Sequence, residues 1–119
     1  MKPRLIVVMP DALVALDLTQ TLEACVPDAD VRTFDSLDAA RLASTGLARA
    51  PLIVVQLPAG RDDALKVWDE AARLGDHLIL LSDGGQSMLG TDRRIVVLAR
   101  PFTQEMITQA VLSFCAARC

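Results

Sequence analysis

The sequence predicts an α/β protein, a doubly wound five-stranded parallel sheet with strand order 2-1-3-4-5. Three observations predict it. Strand-like and helix-like segments alternate along the whole chain. The strand-like segments are unbroken apolar runs rich in Val and Ile, the signature of strands covered on both faces. Finally, right-handed crossovers leave few ways to arrange such a chain, and the flavodoxin-like order leads among them.

The elements follow in order. "RLIVVM", from Arg4 to Met9, is the first strand. "DALVALDLTQTLEACV" begins at Asp11 and is an amphipathic helix, with Val14, Ala15, Leu18, Leu22, Cys25 and Val26 on one face. "ADVRTF" is the second strand, and "DSLDAARLASTG" a short helix with an acidic or Ser cap and a Gly stop. "PLIVVQ" is the third strand. "RDDALKVWDEAARLG" is the next helix, with Asp62 and Asp63 at its positive end, Arg73 near its negative end and Gly75 stopping it. Trp68 on this helix is expected to serve packing. "HLILLS" is the fourth strand, and His77 at its start is expected at a surface or edge. "DGGQSMLGTDR" holds room for little more than one helical turn, around Gln86 to Leu89, so the fourth helix is short. Gly84 and Gly85 read as a flexible turn, since no Gly-rich phosphate fingerprint surrounds them. "RIVVLA" is the fifth strand and "PFTQEMITQAVLSFCAAR" the last helix, with Thr103 as cap and Phe102 stapled to Ile107.

Composition narrows the function. A chain of 119 residues, 52% of them hydrophobic, is expected to form one domain over 1–119 with a substantial core. One Trp, three Phe and no Tyr leave little for stacking nucleic-acid bases, and a net charge of −3 does not suit a phosphate-tracking face. Pro10 and Asp11 interrupt the apolar N-terminal run, and no segment reaches the length of a membrane span. A cytoplasmic protein that binds neither membrane nor nucleic acid is expected. Cys25 and Cys115 fall on apolar helix faces and read as buried thiols, with Cys119 a terminal one.

In this topology the crevice lies outside the carboxyl ends of the strands. The residues delivered there are Met9-Pro10-Asp11, Gln56, Ser82-Asp83 and Arg100-Pro101. With "LIVVMPDALVALDL", "APLIVVQLP", "LILLS" and "VLARPF" in this order, the chain resembles the response regulator receiver domains, the CheY-like family. The resemblance covers essentially the whole chain. It implies a role in two-component, phosphorelay signal transduction.

The resemblance also implies a chemistry that these residues do not supply. The family accepts a phosphoryl group on an Asp ending the third strand, where Gln56 stands here. It holds Mg²⁺ with an acidic pair after the first strand, where Met9 and Pro10 stand. Magnesium takes hard oxygen ligands, which a thioether and an imino ring do not offer. An amide oxygen is also too poor a nucleophile to form an acyl phosphate. Ser82 matches the family's hydroxyl residue. Arg100 replaces its Lys, and Pro101 implies a cis peptide bond before it. The implied pocket comprises Met9, Pro10, Asp11, Gln56, Ser82 and Arg100, needs no metal or cofactor, and has Arg100 neutralised by Asp11 or Asp83. Asp11 reads foremost as a helix cap. Val97 stands where members often carry an inward-turning aromatic.

The expected function is that of a non-enzymatic pseudo-receiver, a phosphorylation-independent protein-interaction module. On the first helix Leu13 and Leu16 point away from the core face with Gln20 between them by angle, and this helix docks kinases in the family. The expected partners are a histidine kinase, a phosphotransfer protein, another regulator or a second copy of the chain as a homodimer. The alternatives are a small-molecule or anion sensor using the vacated pocket through Arg100 and Ser82, and a phosphoacceptor working through Asp11 or Asp83.

Overall fold

A computed structural model of the chain describes residues 3–58, 60–82, 95–99 and 103–118. Strand β1 (Arg4–Val8) leads to helix α1 (Ala12–Cys25), then β2 (Asp30–Phe34), α2 (Leu37–Ala43), β3 (Ala50–Gln56), α3 (Arg61–Leu74), β4 (Gly75–Ser82), β5 (Ile95–Ala99) and α4 (Gln104–Arg118). The five strands form one parallel sheet in the order β2-β1-β3-β4-β5, as the sequence predicts. The short helical turn expected at Gln86 to Leu89, the Gly84-Gly85 turn, the Arg100–Pro101 bond, the Phe102 staple and Cys119 lie outside the described residues.

The unbroken apolar strands divide their side chains between two cores, because successive residues point to opposite faces. Leu5, Val7, Leu52, Val54, Ile79 and Leu81 pack beneath α1 and α4, against Leu18, Leu22, Val111 and Phe114. Ile6, Val8, Ile53, Val55, Leu78 and Leu80 pack beneath α2 and α3, against Leu37, Ala40, Ala64 and Ala71. Full burial of each large aliphatic side chain favours folding by about 1.5–3 kcal/mol, so the interior strands β1, β3 and β4 anchor the sheet. Cys25 and Cys115 are half-buried against the first of these cores, and Trp68 against the second.

Local signals set the helix starts. Asp11 caps α1, its Oδ1 accepting from the amides of Leu13 at 3.0 Å and Val14 at 3.3 Å. Ser36 caps α2 by accepting from Ala39 at 3.2 Å, and the Thr103 hydroxyl accepts from Met106 at 3.2 Å at the start of α4. The stop of α3 at Gly75 is as expected, whereas that of α2 is not. Helix α2 ends at Ala43 with Ser44 as its cap, and the left-handed glycine, Gly46 with φ of 77°, comes two residues later. Gly75 follows α3 directly but is extended, with φ of −136°, and already belongs to β4. Small size, not left-handed geometry, is what that position requires.

Two further side chains sit differently from expectation. His77 lies on an inner strand, half-buried, its ring edge-on to Phe114 with centroids 5.1 Å apart. Arg49, unremarked in the sequence, closes the carboxyl end of α3. It donates through Nη2 to the carbonyls of Ala72 and Gly75 (2.8 Å to the latter) and pairs its Nε with Asp76 at 3.1 Å. A cation on these carbonyls complements the helix dipole. Arg49→Ala is expected to cost roughly 1–2 kcal/mol, measured as a lower urea midpoint at unchanged slope. An unchanged midpoint would show that these bonds contribute nothing net.

Candidate functional site

Strand β1 ends where Pro10 removes a ladder donor. Just before it, the amide of Met9 donates to the carbonyl of Phe34 at 2.9 Å, and the Met9 side chain is 3% exposed. Strand β3 ends at Gln56, half-buried, beyond the paired Val8 and Val55. The next amide, that of Leu57, donates to the carbonyl of Leu81 at 2.8 Å, holding the ends of β3 and β4 together. Ser82 ends β4, is 2% exposed and pairs in register with Ala99. The sheet therefore brings Met9, Gln56 and Ser82 to one edge on three neighbouring strands. Pro10 is exposed beside them, and Asp11 is turned to its capping role. Arg100 and Asp83 lie outside the described residues.

The donor set at this edge does not fit a magnesium ion. Met9 offers a buried thioether, Pro10 nothing, and Gln56 one neutral carbonyl oxygen. Of the described carboxylates beside it, Asp11 already accepts two amide hydrogens, and Asp35 lines a groove together with Met9 and Pro10. Among the described residues, no three His, Cys, Asp or Glu side chains cluster in a way that could hold a metal. The polar groups of Gln56 and Ser82 can exchange hydrogen bonds.

Beside this edge, α1 turns Leu13, 79% exposed, and Leu16, 56% exposed, to solvent, together with the exposed Gln20. Leu16 also lines a groove of about 430 Å³ between α1 and β2, floored by Ala15, Val31 and Phe34 and reaching Met9 and Pro10. The three predicted contact residues are thus all exposed on α1, and Leu16 joins them to the groove that reaches Met9 and Pro10. Sequence periodicity had indicated the leucines. The groove depends on the β2 packing, which no local pattern encodes.

The arrangement of the strands, the helices on both faces and the crevice define the receiver fold. Solved structures bear this out. The chain superimposes on a response regulator receiver protein from Sinorhizobium medicae with a TM-score of 0.73 at 19% identity, covering 99% of this chain and 98% of that one. A response regulator from Thermotoga maritima matches with a TM-score of 0.71 at 16% identity, covering 98% and 99%. The anti-anti-sigma factor PhyR from Bartonella quintana matches with a TM-score of 0.73 at 13% identity, covering 99% of this chain and 50% of that one. No protein-family model and no curated protein sequence matches the chain. Its fold is that of the CheY-like receiver domains. No helix among the described residues is long and apolar enough to cross a membrane.

Proposed function

We propose that residues 1–119 form a degenerate receiver, a cytoplasmic pseudo-receiver that signals by protein contact and without a phosphoryl group. The observation that carries this reading is Gln56 at the carboxyl end of β3. An amide there accepts and donates hydrogen bonds but does not become an aspartyl phosphate. The mismatch between Met9, Pro10 and a divalent cation supports the same reading. The output surface is the face of α1 carrying Leu13, Leu16 and Gln20. Its partner is a helical domain of a histidine kinase, a phosphotransfer protein or another regulator.

Incubation with acetyl phosphate and Mg²⁺, followed by intact-mass measurement, is expected to leave the mass of the chain unchanged. A stable gain of one phosphoryl group would overturn the reading. Recovery of partners from a native lysate, with and without acetyl phosphate, is expected to yield the same kinase or phosphotransfer protein in both. Recovery that requires acetyl phosphate on the wild-type chain would count against phosphorylation independence.

A further inference from the structure

A second concavity lies at the outer edge of the sheet beneath the carboxyl end of α2, sharing Thr33 and Phe34 with the groove beside α1. It measures about 350 Å³, and its walls include Arg4, Ile6, Arg32, Phe34, Ser44 and Leu47. We propose that it binds a small organic carboxylate with an apolar body, and that Arg4, Arg32 and Ser44 receive the carboxylate group.

The wall is divided by chemistry. Ile6 and Phe34 belong to the core beneath α2 and α3, and their surfaces in the pocket continue that core. Leu47, 58% exposed, stands at the mouth, where a bound apolar body would cover it. Against this apolar side stand two guanidiniums. Arg4 is held by its Nη2, which donates to the carbonyl of Ala48 at 2.6 Å. Arg32 is held by its Nε, which pairs with Asp30 at 3.3 Å. Each guanidinium carries five N–H donors in a fixed fork, and among the described residues each spends one nitrogen. Two cations stand against the single carboxylate paired with them, which leaves an excess positive charge in a chain whose net charge is −3.

The hydroxyl of Ser44 adds an independent sign. Its oxygen is shut off from solvent and has no hydrogen-bond partner among the described residues. The backbone amide of the same residue is already committed to the last turn of α2. A buried hydroxyl left unpaired is unfavourable, and rotation about the Ser44 Cα–Cβ bond toward the pocket that the residue lines would let an anionic oxygen accept its hydrogen. Two guanidiniums and a hydroxyl lining one pocket favour a carboxylate. The apolar remainder selects a carbon body over a bare inorganic ion. The volume, at the low end of small-molecule sites, admits a compact acid and not a nucleotide.

The test is calorimetric titration of the full chain with benzoate, phenylacetate and hexanoate, alongside benzamide, hexanamide and inorganic phosphate. At least one acid is expected to bind saturably and about tenfold or more tighter than its amide and than phosphate. NMR shift changes should centre on Arg32, Ser44 and Leu47, which line this pocket and not the groove beside α1. Arg32→Gln, with folding checked by circular dichroism, is expected to weaken that acid about tenfold, and Ser44→Ala severalfold. Arg32 serves better than Arg4 here, because Arg4 also ties down the loop at Ala48. Four results would overturn the proposal: no saturable binding, equal binding of acid and amide, phosphate binding as tightly as the acids, or R32Q binding as wild type does. The titration of the wild-type chain does not depend on any variant folding.

Discussion

Replacing Leu13 and Leu16 together by Glu is expected to cut recovery of the partner by more than about tenfold while leaving the melting temperature within about 2 °C of wild type. Both side chains stand mostly in water, at 79% and 56% exposure, so neither substitution opens a cavity in the core. Leu13 also lies in the first turn of α1, behind the Asp11 cap, where added negative charge suits the helix dipole. A docked helix, by contrast, would meet two carboxylates where it needs an apolar surface, and desolvating them is unfavourable. Equal recovery of the partner by the double variant would remove α1 as the contact face. A drop of more than about 5 °C in melting temperature would mean that the leucines support the fold instead.

Gly75→Val is expected to destabilise the protein by about 2–3 kcal/mol, equivalent to roughly 8–12 °C in melting temperature. A Cβ on Gly75 would fall 2.7 Å from Cγ1 and 2.9 Å from Cδ1 of Ile53. Ile53 is wholly buried on the central strand β3, one register step from the pairing of Leu52 with His77, so its side chain has no free space to swing into. The backbone at Gly75 would itself tolerate Val, since its φ of −136° is ordinary for a strand. The penalty is therefore steric, and it should couple. Gly75→Ala introduced into an Ile53→Ala background is expected to cost less than in wild type, by about 1 kcal/mol in urea unfolding. A Gly75→Val variant as stable as wild type, or fully additive effects in the cycle, would show that the contact is not what excludes a side chain.

The sheet was legible because its strands are buried on both faces. Runs such as "RLIVV" and "LIVV" admit few other readings, and their order fixed the crevice and the place of Gln56 within it. What stayed illegible depends on neighbours distant in sequence. Gly75 reads as a helix stop, and only its proximity to Ile53 reveals that space is the constraint. His77 reads as polar and peripheral, whereas strand order places it inside the sheet and against Phe114. Arg49 closes a helix end 23 residues further on, and such a contact has no periodicity to announce it. Ser44 and Arg32 likewise meet only across the edge of the sheet. Of the site itself, Met9, Gln56 and Ser82 fall where the strand pattern puts them.

The burial of Met9 bears on what it would take to place a cation-dependent site at this edge. Its side chain sits in the same apolar cluster as Val7, Ala15 and Leu18. An aspartate introduced there would begin as a carboxylate sunk among hydrocarbon, which is unfavourable. Building such a site thus requires crossing a stability deficit at this position before any benefit accrues, so a buried methionine here opposes it.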